Sequence, residues 1–127
     1  MRIRECMDYI IDAKNQRLGR LASEIAVILQ GKKHASYEPR LRGEDRVIVK
    51  NVSGIAVTGG KEKKKIYYRH TGYMGHLREH YMGHLREHRY AEEFAKHPQE
   101  VLREAVRRML PRNFLRDKRL AMLKIER

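Results

Sequence analysis

The sequence predicts an α/β sandwich, on three observations. Leu18, Leu21, Ala22, Ile25, Ile28 and Leu29 recur at the spacing of a core-facing helix. Residues 47–49 are continuously apolar and β-branched rather than alternating, the pattern of a strand covered on both faces in a parallel sheet. A further apolar run at 9–11 precedes the helix, so the N-terminal half reads strand, helix, strand, the order that builds parallel sheets. At 127 residues the chain is long enough for one domain with a real core and too short to expect two, so the domain is read as 1–127.

Residues 1–7 read as a leader, with Met7 an equally good start. The strand at 9–11 closes at Asp12 and a polar turn through Asn15. Gly31 stops the first helix, and Lys32, Lys33 and His34 follow it. Cations there complement the helix dipole, a structural role that competes with contact to an external anion. Tyr37 and Pro39 mark a loop leading to Arg40 and Arg42, and residues 43–45 turn the chain into the strand at 47–49. The stretch 46–72 organises the rest: β-branched runs at 47–49 and 55–58, a Gly59-Gly60 pair entering a lysine cluster, and a return strand through 66–68. A short helix is expected around 90–96.

Pro98 sits where a helix begins. Val101, Leu102, Ala105, Val106, Met109 and Leu110 then form an apolar stripe, with Glu100 early and Arg107 and Arg108 late, as the dipole favours. Pro111 ends this helix. Residues 111–127 read as a basic arm anchored by Phe114, Leu115, Leu120, Met122 and Leu123, with its arginines turned outward.

A formal charge of +13 and a pI near 10.2 point to a phosphate-rich partner. The charge is concentrated. Lys61, Lys63, Lys64, Lys65 and Arg69 against Glu62 give +4 over 61–69. Arg107, Arg108, Arg112, Arg116, Lys118, Arg119, Lys124 and Arg127 against Asp117 and Glu126 give +6 over 107–127. Ten of thirteen excess charges in two segments mark a localised binding surface rather than a merely solvated face. No apolar run approaches the roughly 20 residues of a membrane-spanning helix, and the N-terminal stretch lacks a secretory apolar region. Cys6 is the only cysteine, which excludes an intrachain disulfide and a cysteine zinc cage and fits a reducing compartment.

YMGHLREH occurs at 73–80 and again at 81–88 without a difference, a tandem duplication. It creates His76, His80, His84 and His88 at i, i+4 spacings and an H-x-x-E-H pattern of the kind some zinc peptidases use. Gly75 and Gly83 disfavour the continuous helix such a site needs, and no third ligand is apparent, so no metal is assigned. Surface loops absorb insertions at small entropic cost, so the extra copy is expected to bulge out or to lengthen the start of the next helix, leaving the core unchanged.

Thr58-Gly59-Gly60-Lys61 lacks the glycine and the Ser or Thr that a phosphate loop requires, since Ile55 and Glu62 stand there. Tyr67, Tyr68, His70 and Tyr73 among cations suit stacking on bases or sugars, with one of Tyr67 and Tyr68 expected to pack inward. No Ser/His/Asp or Cys/His set is discernible, and neither a cofactor nor a small-molecule substrate is indicated.

Four long stretches in order, MDYIIDAKNQRLGRLASEIAVILQGKKH, DRVIVKNVSGIAVTGGK, KKIYYRHTGYMGHL and PQEVLREAVRRMLPRNFLRDKRLAMLKI, resemble the L-thirteen family of large-subunit ribosomal proteins over residues 7–125. The resemblance implies a three-layer α/β sandwich around a small, mostly parallel four-stranded sheet. It also implies binding to large-subunit ribosomal RNA early in assembly, neighbouring ribosomal proteins as partners, a cytoplasmic location and no enzymatic activity. By position it implies RNA-facing roles for Arg17 and Arg20, for Lys32, Lys33 and His34, for Lys61, for Tyr68, Arg69, His70 and Thr71, and for Arg107, Arg108, Arg112 and Arg116. Lys63, Lys64, Lys65, Lys118 and Arg119 join them as members of the two basic segments. Arg108 departs from the family's usual glycine, and the duplication is the largest departure. The competing readings are a nucleic-acid-binding regulator acting off the ribosome and a His-cluster metalloprotein.

Overall fold

The computed structural model describes residues 6–70 and 85–126. In chain order these form β1 (Asp8–Asp12), α1 (Leu18–Leu29), β2 (Arg46–Lys50), a 3-10 turn at Val52–Gly54, the single-turn α2 (Lys61–Lys64), β3 (Ile66–His70), β4 (Leu85–Arg89), α3 (Tyr90–Lys96), α4 (Pro98–Met109), α5 (Leu115–Leu120) and β5 (Leu123–Ile125). The α/β class read from the sequence holds.

β1, β2 and β5 make a parallel sheet in the order β1-β2-β5, with Tyr9 beside Val47 beside Leu123, and Ile11 beside Val49 beside Ile125. Side chains alternate across a sheet, so these six share one face. It is the covered face: Val47 and Val49 are fully buried and Leu123 nearly so, packed with Leu21, Ala22, Ile25, Ile28 and Leu29 of α1. Leu102 and Val106 of α4 join the same core. Each fully buried aliphatic side chain here contributes about 2–3 kcal/mol. Gly31 ends α1 at φ +75, where its N–H reaches the Ile28 carbonyl at 2.8 Å and the Lys32 N–H reaches that of Val27 at 3.2 Å.

Three expectations are corrected. The run at 55–58 is not a strand of the sheet: the 3-10 turn intervenes, and only Arg17 and Ala56 bridge. Ala56 does pair on both sides, to Gln16 and Leu18, but its partner segment turns into α1 at Leu18 and the ladder has nowhere to continue. Among the described residues the parallel sheet therefore has three strands rather than four. Its second face carries Asp8, Ile10, Asp12, Arg46, Ile48, Lys50 and Lys124, and Ile10 is 66% exposed. Among the described residues that face is open, where a three-layer sandwich would cover it; Ile48 is apolar yet only half-buried.

The third correction concerns the C-terminal segment. Rather than trailing as an arm, 115–125 folds back as α5 and β5, and β5 pairs with the central strand. Leu115 and Leu123 are buried anchors as expected, whereas Phe114 is 77% exposed. Of the duplication, 73–84 lies outside the described residues. Residues 85–88 extend β4, which pairs antiparallel with β3, and do not lengthen α3.

Candidate nucleic-acid interface

α2 and β3 carry one basic segment, and α4 carries the start of the other. In the fold they meet. Tyr67, Tyr68, Arg69 and His88 of the hairpin face Glu100, Glu104, Arg107 and Arg108 of α4 across a cleft of about 730 Å³. The Arg108 guanidinium lies 5.5 Å from the Tyr67 ring centre, a cation–π approach. Glu104 accepts from Arg108 Nε at 2.9 Å and from Arg107 Nη1 at 3.3 Å, fixing both arginines on the helix surface. Both pairs are solvent-accessible, so they orient the guanidinium groups more than they stabilise the fold.

Alternation along β3 explains the tyrosines. Tyr67 packs against the core, while Tyr68 is 59% exposed beside exposed Arg69 and His70. Lys61, Lys63 and Lys64 are exposed on α2, next to the hairpin. Lys65 is different. Its ammonium lies 5.0 Å from the Tyr67 ring centre and 5.9 Å from that of Tyr90. Burial, and then repulsion from Arg108 and Lys61, pull its pKa below the ordinary lysine value. Lys61, Lys65 and Arg108 therefore stand close enough for their charges to repel one another.

Tyr90 anchors this region from beneath, 2% exposed and stacked on Phe94 at 5.5 Å. Its hydroxyl is buried and has no hydrogen-bond partner among the described residues. Burial, with Tyr67 and Glu62 adding to it, pushes its pKa up to about 12. The folded state therefore holds this proton where the unfolded state releases it, and stability falls as pH rises from about 10 to about 12. Tyr90→Phe is expected to raise stability by about 1 kcal/mol at pH 7, since an unpaired buried hydroxyl is removed. It should also flatten the alkaline loss. Denaturant unfolding of both proteins at pH 7 and pH 11 checks this, and equal losses in the two proteins would contradict it.

A second basic surface lies at the C-terminal end of α1. Lys32 and Lys33 are exposed, with Lys32 Nζ 6.0 Å from the Tyr37 ring centre and Lys33 Nζ 5.1 Å from that of Tyr9. His34 is half-buried and engaged with Asp45 through Nε2 at 2.7 Å, so one edge of its ring is already committed. Arg17 and Arg20 are exposed at the opposite end of α1. Arg112 and Lys118 are exposed, the latter with its ammonium 5.8 Å from the Phe114 ring centre. Arg116 is half-buried, and its Nε has no partner among the described residues. Thr71 lies outside them.

Arg119 is a correction to the expected surface. It is 1% exposed, and its guanidinium is spent on backbone carbonyls, so it does not face solvent. The sequence placed it outward because it sits in a basic run; nothing in an i, i+1 charge pattern reveals that α5 turns this one side chain inward. Arg40 and Arg42, on the loop between α1 and β2, are both exposed.

Among the described residues no group of three or more His, Cys, Asp or Glu is placed to hold a metal, and no helix is long and apolar enough to cross a membrane. His88 pairs instead with Glu93 at 3.3 Å.

The family model of ribosomal protein L13 matches residues 7–125. The chain belongs to this family. L13-family proteins are structural ribosomal proteins rather than enzymes. Large ribosomal subunit protein uL13 of Chloroflexus aggregans is 44% identical over 117 residues, covering 92% of this chain and 76% of that protein. The uL13 of Roseiflexus castenholzii is likewise 44% identical, over 92% of this chain and 75% of the relative. That of Rubrobacter xylanophilus is 42% identical over the same share of this chain and 76% of the relative. This chain thus spans about three quarters of the length of these L13-family relatives.

Proposed function

We propose that this chain is a structural constituent of the large ribosomal subunit. It binds large-subunit ribosomal RNA through its basic segments, supports early subunit assembly, and has neighbouring ribosomal proteins as its other partners on the cytoplasmic ribosome. The observation that carries the reading beyond family membership is the meeting of the hairpin and α4, which sets Arg69 across one cleft from Arg107 and Arg108, while the exposed lysines of α2 lead directly into β3. A packed core holds these cations in place, and phosphate contacts of this kind position a protein on RNA without reading sequence. Tyr68, exposed beside Arg69, offers a stacking face for an unpaired base.

We read the whole of 1–127 as one RNA-binding domain, since a single core cluster draws on residues from Ala13 to Leu123. Titration of the full chain into large-subunit ribosomal RNA and into random duplex RNA, over a range of salt, tests the reading. Steeply salt-dependent binding, much tighter to the ribosomal RNA, is expected. Equal affinity for the two RNAs would favour a regulator acting off the ribosome and overturn the reading.

A further inference from the structure

Arg119 is a buried cation, and no carboxylate pairs with it among the described residues. Its fork donates instead to the backbone of one loop: Nε to the Arg42 carbonyl at 3.1 Å, and Nη2 to the Leu41 carbonyl at 2.9 Å and the Pro39 carbonyl at 3.4 Å. These bonds span 77 to 80 residues of sequence and fasten α5 to the segment between α1 and β2. A buried charge is strongly unfavourable unless its donors are satisfied, so the loop's carbonyls and the guanidinium each depend on the other.

The consequence is directional. With carbonyls of 39, 41 and 42 drawn inward, the side chains of Arg40 and Arg42 are left at the surface, and Arg40 is 83% exposed. The C-terminal side of the loop is also pinned. Gly43, at φ +86, passes so close to the end of α1 that a Cβ there would lie 3.0 Å from the Leu29 carbonyl oxygen. Two residues on, Asp45 holds His34 at 2.7 Å. Arg40 and Arg42 are thereby carried on the segment that returns to the end of α1, where exposed Lys32 and Lys33 stand. Arg40's ion pair with Glu38, at 3.1 Å, is solvent-exposed and weak.

We propose that the loop 38–43 is a further RNA-backbone contact. In it Arg40 and Arg42 grip phosphates, and the buried Arg119 acts as a positioning residue that holds the loop in its binding shape. The proposal rests on the RNA-binding reading above and extends the binding surface to residues outside the two basic segments. Arginine suits such a role because its planar fork meets phosphate oxygens in pairs.

The test compares the full chain with Arg40→Gln/Arg42→Gln and with Arg119→Lys, by the salt dependence of binding to large-subunit ribosomal RNA. The double variant should lower the slope of log K against log salt by about two, near 0.9 per lost phosphate contact, and weaken binding roughly 10- to 100-fold. Arg119→Lys keeps the net charge, so a merely electrostatic role predicts no change. The positioning role predicts a shallower slope and tryptic cleavage after Arg40 and Arg42 at least about tenfold faster than in the unaltered protein, because an ammonium cannot reproduce the fork. If the unaltered chain binds ribosomal RNA selectively and the double variant keeps its slope, this proposal fails while the RNA-binding reading stands. If the unaltered chain shows no selectivity, both fall. The double variant changes only surface side chains, so it decides the contact even where Arg119→Lys does not fold.

Discussion

Changing Lys61, Lys63, Lys64 and Arg69 together to glutamine is expected to weaken binding to large-subunit ribosomal RNA by roughly two to three orders of magnitude near physiological salt. It should also make the salt slope shallower by about three to four. All four side chains are exposed, and among the described residues none is held in an ion pair. The substitution therefore removes external contacts and leaves the core untouched. The melting temperature should hold or rise slightly, because Lys61 repels Lys65 and contributes to the depressed pKa of that lysine. Filter binding at several salt concentrations, with thermal unfolding alongside, reads both effects. A fall in affinity that came with a fall in melting temperature would mean that these cations are structural after all.

Leu102→Ala is expected to destabilise the fold by about 3–4 kcal/mol. Leu102 has no exposed surface, and α4, which carries it, packs on α1. Truncation leaves a cavity at the joint that keeps the arginine-bearing side of α4 in register with the hairpin. The midpoint of denaturant unfolding should fall with its slope unchanged, and the melting temperature should drop by roughly 10–20 °C. A loss under about 1 kcal/mol would mean that the α1–α4 contact is peripheral rather than central.

The helices were legible because their signals are local and redundant. α1 has six apolar positions at one spacing and a glycine stop, and its observed bounds, Leu18–Leu29, match that stripe. α4 has a proline start, a stripe and the charge order the dipole favours, and it runs Pro98–Met109. α3, at Tyr90–Lys96, fell where it was expected. What could not be read was decided by partners. The apolar run at 55–58 has strand composition, yet it forms only a bridge because the segment beside it becomes a helix after one residue. β5 is three residues long, too short to announce itself, and it is defined by pairing with β2.

The candidate binding surface shows the same division. Exposed lysines of α2 and the outward Tyr68 followed from charge clustering and strand alternation. That Arg69 would face Arg107 and Arg108 across a shared cleft is a tertiary fact. Arg119 is the sharpest case: in sequence it is one more arginine of a basic run, and in the fold it is a buried clamp on a loop about 80 residues away. Arg116 and His34 are intermediate, half-buried although they belong to basic runs.

Sedimentation of a cell lysate through a sucrose gradient after a high-salt wash, with this chain followed by mass spectrometry, tests the central claim most directly. The account predicts that the chain co-migrates with the large ribosomal subunit at one copy per particle, its duplicated octapeptide included. Recovery only at the top of the gradient, with large subunits present but lacking it, would contradict the account.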